Sequence, residues 1–203
     1  LAIIGEKAGL MQDLVGLDQE FRHRKKFLDQ LASLQNAVVR AKTITHRLLG
    51  FARRMETSLT PVQPNGILQE VLSFLEKDAA YRNIHIILQL QEDLPVIRAD
   101  HGQLQQVFLN VINNAIDAIR SDGEIHITSR RENQNTVMVA ISDTGPGIAP
   151  EILKNIFEPF FTTKANEEKK GTGLGLSITY GLVHKMGGKI EVSSEVGGGT
   201  TFD

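Results

Sequence analysis

The chain has 203 residues, 41% of them hydrophobic, a formal net charge of −2 and no cysteine. That allows one good domain or two small ones with a real core. It excludes a bulk basic field for nucleic acid and removes disulfides, thiol catalysis and cysteine–zinc sites together, which fits a reducing cytosol. No apolar run approaches the roughly 18 residues of a membrane span, and no signal peptide is visible. The chain opens on Leu1-Ala-Ile-Ile in mid-pattern, without an initiator Met, and closes on Thr200-Thr-Phe202-Asp203, which reads as a strand cut short. Both ends suggest a piece of a longer protein.

Residues 1–58 read as two long helices. Ile3, Ile4, Leu10, Met11, Leu14, Leu17 and Phe21 recur at helical spacing. Arg22-His-Arg-Lys-Lys26 marks a turn. Phe27, Leu31, Leu34, Val38, Ala41, Thr45, Leu48 and Ala52 then step by four and three, a seam of coiled-coil type. A lone helical hairpin buries little, so two hairpins side by side, a four-helix bundle formed by a homodimer, are expected. A helical cap on the next domain is the alternative. Thr60-Pro-Val-Gln-Pro64 cannot continue a helix, so residues 59–64 are expected to link the domains.

Residues 65–203 change texture. Asn65 is positioned to cap a helix through about Tyr81, and Ile84 to Leu90 reads as a strand with β-branched residues. Asp100 and Gln103 have the spacing of a capping box for a helix through about Ile119. Glu124 to Arg131 and Thr136 to Asp143 predict a hairpin, and a short helix follows Pro150. Residues 158–172 form a long polar loop, Gly173 to Met186 a helix, and Lys189 to Ser193 and Thr200 onward two strands around Gly197-Gly-Gly199. The order predicts an α+β fold: a helical hairpin, then an α/β sandwich with helices on one face of a mixed sheet.

Several clusters carry chemistry. Asn110, Asn114 and Asp117 fall at i, i+4 and i+7 of one helix and share a face. Their amides are poor transition-metal ligands but adequate hard-oxygen donors for Mg²⁺; a solvated polar face is the alternative. Asp143 ends a strand and enters Thr-Gly145-Pro-Gly147. It can accept a hydrogen bond from an exocyclic amine such as adenine N6, while the glycines let the backbone approach a flat base; an ordinary turn would look the same. Gly171-Thr172-Gly173-Leu174-Gly175-Leu176 opens a helix whose free N–H groups favour phosphate, or it is merely a flexible loop. Its spacing fits neither a dinucleotide fingerprint nor a P-loop. In Phe157-Glu-Pro-Phe160-Phe161-Thr-Thr-Lys164, the aromatics can anchor a lid and Lys164 can meet a phosphate; a core edge and a surface lysine are the bland reading.

Taken together and in this order, the clusters resemble the boxes of the ATP-binding domain of sensor histidine kinases, a fold shared with gyrase-type ATPases. The resemblance covers roughly residues 61–203. Asn110 to Ala118 is similar to the asparagine box, Asp143 to Gly147 to the first glycine box, Phe157 to Lys164 to the phenylalanine box, Gly171 to Gly175 to the second glycine box, and Gly197 to Thr200 to the last one. It implies ATP and Mg²⁺ as cofactors, with Asn114 on the metal and Asn110 beside it at the phosphates. It implies nucleotide contacts from Asp117, Asp143, Gly145, Gly147, Phe161, Thr172, Gly173, Leu174, Gly175, Leu176 and Thr200, with Asn110 and Lys164 catalytic and residues 158–172 a lid. Residues 1–58 resemble the family's dimerisation and phosphotransfer helices. On that alignment Leu1-Ala-Ile-Ile closes the phosphoacceptor box, so the acceptor histidine lies upstream and His46 is structural. The resemblance further implies a cytoplasmic kinase core, a response-regulator partner, and membrane anchoring only where upstream segments supply it. A gyrase-type hydrolase is the alternative, but in that branch a glutamate occupies the position of Asn110. A non-catalytic ATP-binding module and a serine kinase of anti-sigma type are the others.

Overall fold

Thr60 to Pro64, expected as a linker, is already built into secondary structure. In the computed structural model, which describes residues 4, 7–11, 15, 25, 27–34, 58–163 and 172–203, Thr60–Val62 is a strand (β1). The prolines do bar a helix, yet each finds another place. Pro61 lies in β1, whose lone partner strand leaves its other edge without a ladder for a missing N–H to break. Pro64 opens the helix Pro64–Tyr81 (α1), where an N–H would have no intrahelical partner anyway. Asn65 is not the cap of that helix; Gln63 holds the cap position. The Asn65 side chain ties α1 to the sheet instead. Its Nδ2 donates to Gln91 O at 2.8 Å, and its Oδ1 accepts from Ser129 Oγ at 2.8 Å.

Ile84–Leu90 (β2) follows, then Ile97–Ala99 (β3), which pairs antiparallel with β1 and was not foreseen. Asp100 caps His101–Ile119 (α2), its Oδ1 accepting from Gln103 N at 2.9 Å, a contact of about 1 kcal/mol. Gly123–Arg131 (β4) and Val137–Asp143 (β5) form the expected hairpin. Pro150–Leu153 (α3), Gly175–Lys185 (α4), Val192–Glu195 (β6) and Gly199–Phe202 (β7) complete the order. The helix α4 starts at Gly175 rather than Gly173, because Gly173 has φ +65, outside the right-handed helical region.

The main sheet runs β2-β4-β5-β7-β6, with only β2 and β4 parallel. Ile84, Ile125, Ile127 and Ile141 are buried on one face under α1 and α2, while His85, Glu124 and Arg130 are exposed. Apolar-in, polar-out alternation is what a sheet covered on one side requires. The mixed sheet with a single helical layer is the α/β sandwich that the pattern predicts.

The chain divides into two compact units, Leu1–Glu56 and Thr57–Asp203. In the first, residues 7–11 and 27–34 are helical; Ala8 and Leu31 are buried, and Leu10, Met11, Phe27 and Leu34 are exposed. The rest of the expected seam, Val38 to Ala52, lies outside the described residues, as do His23 and His46. Among the described residues no helix is long and apolar enough to cross a membrane.

Candidate functional site

Asp143 ends β5 and is only 6% exposed. Burial strips water from its carboxylate and pushes the pKa above the ordinary aspartate value; the Gly145 and Thr200 backbone N–H groups donate to it and offset part of that rise. Gly145 N lies 2.8 Å from Oδ1. Two glycines let backbone close in around this group. Gly147 has φ +70, and a Cβ there would fall 1.9 Å from Glu195 O; Gly199 has φ +86, and its Cβ would fall 1.9 Å from Asp143 O. No L side chain fits either position. At Gly145 a Cβ would stand 2.7 Å from Asp143 Oδ1 and 3.1 Å from Ala118 Cβ, so this turn lies against the end of α2.

Thr200 pairs with Asp143 across the β5–β7 ladder and is buried. Its partner is Ser194, which the sequence reading missed. Ser194 Oγ accepts from Ile148 N at 2.8 Å and donates to Gly199 O at 2.8 Å. Its one proton is thereby used, so the Thr200 hydroxyl, 2.9 Å away, is the donor to it and keeps its own lone pairs for another group. Ser194 thus fastens the turn after Asp143 to the turn before Thr200. Asp143, Gly145, Gly147 and Thr200 are brought together at one end of the sheet.

Asn110 and Asn114 are half-buried, one turn apart on α2. Asn110 Nδ2 lies 3.2 Å from Gly175 O and 3.2 Å from Thr179 Oγ1, joining α2 to the first turns of α4. A carbonyl only accepts, so the NH₂ of Asn110 faces Gly175 and its Oδ1 faces away. The Asn114 side chain has no hydrogen bond to a described residue. Asp117 is exposed, two turns beyond Asn110 on the same helix. The Arg82 guanidinium, just past α1, lies 3.6 Å from its Oδ1 and supplies a cation on the α1 side of α2.

The aromatic stretch and the second glycine cluster meet back to back. Phe160 is exposed with φ +68, an uncommon conformation for a bulky residue. Its N–H donates to Gly173 O at 2.9 Å, and a Cβ on Gly173 would fall 2.4 Å from the Phe160 carbonyl carbon. Phe161, Thr172, Gly175 and Leu176 are half-buried, and Leu174 is buried. A Cβ on Gly175 would meet no atom of the described residues within 4 Å, so among them the start of α4 borders open space. Lys164 and Gly171 lie outside the described residues.

The donor chemistry suits a magnesium ion shared with phosphates rather than one caged by protein. Among the described residues no three His, Cys, Asp or Glu side chains form a group able to hold a metal. Asn110 and Asn114 offer neutral, hard amide oxygens, and Mg²⁺ keeps most of its waters and leans on phosphate oxygens.

Residues 99–203 match the family described as histidine kinase-, DNA gyrase B-, and HSP90-like ATPase. The sensor histidine kinase ZraS of Escherichia coli (strain K12) is 37% identical over 163 residues, which cover 80% of this chain and 34% of ZraS. The chain thus spans about a third of the length of that curated relative. The catalytic domain of histidine kinase ThkA has a TM-score of 0.62 at 34% identity, over 73% of this chain and 92% of that domain. ThkA in complex with the response regulator TrrA gives 0.69 at 28% identity, over 98% and 55%. Full-length ShkA in complex with AMPPNP gives 0.72 at 30% identity, over 98% and 41%. The chain belongs to the histidine kinase-, gyrase B- and HSP90-like ATPases, and within them to the sensor histidine kinases.

Proposed function

We propose that the chain is a protein-histidine kinase core that uses Mg-ATP. The γ-phosphoryl leaves ADP as its bond to the β–γ bridging oxygen breaks, and a bond from phosphorus to an imidazole nitrogen forms. An aspartate on a response-regulator receiver domain then takes it; the crystallised complex of ThkA with TrrA supports a partner of that kind. The acceptor histidine is proposed to lie on the first helix, upstream of Leu1. Asp143 accepts from the adenine amine, beside Thr200, and Gly145 and Gly147 let the base lie on backbone. Thr172 to Leu176 offer N–H groups at the start of α4 to the phosphates, with Phe161 and Lys164 at the lid. Asn114 holds Mg²⁺ and Asn110 lies beside it. When bound, the ion neutralises phosphate charge. Residues 1–58 serve as a dimerising, phosphotransferring hairpin that precedes the ATP-binding residues. The exposed Phe27 and Leu34 support the homodimer. This core is cytoplasmic, whatever anchors the parent protein.

The observation that carries this reading is the orientation of Asn110. A hydrolase of the gyrase type needs a carboxylate base at that position. Asn110 presents an amide there instead, its Nδ2 donating to Gly175 O at 3.2 Å, and an amide is no base, which favours transfer over hydrolysis. The test is incubation of the parent protein with γ-labelled ATP. Acid-labile, alkali-stable label on a histidine is expected, and its loss in Asn114→Ala. Rapid ATP turnover with no labelled protein would favour the hydrolase.

A further inference from the structure

We infer that Thr179 is a positioning residue for the metal-side amide, locking Asn110 with its Oδ1 turned to the open side of α2 that it shares with Asn114. This rests on the proposed roles of the two asparagines. Thr179 is fully buried, and a buried hydroxyl is costly unless it is hydrogen-bonded. The one hydrogen bond of its side chain among the described residues is the one it accepts from Asn110 Nδ2 at 3.2 Å. The Gly175 carbonyl, also at 3.2 Å, already forbids the flipped amide, because an amide oxygen cannot face it. One bond still lets the amide swing about that contact. A second acceptor, Thr179 Oγ1 one turn further along α4, also at 3.2 Å, narrows the swing. The two acceptors sit on the helix whose start faces the proposed phosphates. The amide oxygen on α2 is therefore aimed only while α4 is docked, so phosphate contact and metal contact are set by one rigid piece.

Thr179→Val keeps the shape and removes the acceptor; Thr179→Ser restores it. The full chain and these variants would be titrated with ADP by calorimetry, once with Mg²⁺ and once with EDTA, alongside thermal unfolding. In Mg²⁺, Thr179→Val should bind about 2- to 12-fold more weakly, the worth of one neutral hydrogen bond. In EDTA it should match the wild type, and Thr179→Ser should recover most of the loss. Equal weakening with and without Mg²⁺, or none in either, overturns the inference, since a packing role is blind to the metal. Asn114→Ala separates this from the underlying reading. If Asn114→Ala loses the magnesium-dependent affinity and Thr179→Val does not, only the role of Thr179 falls. If Asn114→Ala keeps it, the asparagines do not serve the metal and both ideas fall. A readout independent of the metal is the Asn110 side-chain NH₂ in the unliganded protein. That NH₂ should exchange slowly with solvent, and faster in Thr179→Val; equal exchange in the two proteins overturns the lock.

Discussion

Replacing Asp143 with asparagine keeps the size of the side chain and removes acceptor capacity. The carboxylate takes N–H bonds from Gly145 and Thr200 and, with about four lone-pair sites, still has one for a ligand amine. An amide cannot serve all three. If its oxygen keeps the 2.8 Å contact with Gly145 N, its NH₂ is left for Thr200 or for the ligand. If it turns over, NH₂ meets the Gly145 N–H. Either way a hydrogen bond to a charged group is lost, worth about 1.5–3 kcal/mol. Asp143→Asn should therefore weaken ADP binding by about 10- to 150-fold, no less than Asp143→Ala does. Calorimetry on the three proteins decides it; Asp143→Asn within a factor of about two of wild type would refute the reasoning, as that is less than a single neutral hydrogen bond. The pH dependence gives a second handle. Burial holds the folded pKa above the ordinary aspartate value, so protonation begins at a higher pH than for an exposed aspartate. Because protonation removes acceptors, affinity should fall as pH is lowered into that range, and Asp143→Asn should abolish this slope. The unliganded fold runs the other way: the buried charge costs stability above the raised pKa, and that cost is relieved as pH falls through it.

Two glycines should separate fold from ligand. Gly147→Ala should lower the unfolding temperature, because its Cβ meets Glu195 O at φ +70, an overpacking cost of about 1–3 kcal/mol. Gly175→Ala meets nothing and should leave stability unchanged or raise it by about 0.4–1 kcal/mol, yet weaken Mg-ADP binding; undiminished affinity would show that the open space at α4 is not the nucleotide's. The double variant Phe27→Glu with Leu34→Glu alters side chains 38% and 44% exposed in the single chain, so it should keep its helicity while becoming monomeric by light scattering. A wild-type monomer at micromolar concentration would remove the bundle.

Much of the ATP-binding half was legible because its signals are local. Short β-branched apolar runs at 84–90 and 137–143, the period-3.6 face of α2, and the Asp100 cap each depend on residues a few positions apart. The glycine boxes were legible for a related reason: Gly147 and Gly199 answer steric demands that no other residue meets. The edges were harder. Thr60–Pro64 reads as a break by every local rule, and only pairing with Ile97–Ala99 makes Thr60–Val62 a strand. Asn65 reads as a cap, and only the sheet gives its amide better partners.

What the sequence by itself determined is the set of boxes, their order, and the helices and strands that carry them. Tertiary structure alone decided which side chains complete the site. Asn110 meets Thr179 across 69 residues, and Ser194 meets the Ile148 turn across 46. A serine in a strand or a threonine in a helix has no distinctive spacing, because its role depends on a partner brought in by chain folding rather than by neighbours in sequence. Asp117 shows the converse. Helical spacing placed it on the face of the asparagines, and only packing brought the Arg82 guanidinium, from just past α1, within 3.6 Å of its carboxylate. Periodicity fixes the face of an element, but a hydrogen bond needs a donor and an acceptor about 3 Å apart, and only packing sets that distance.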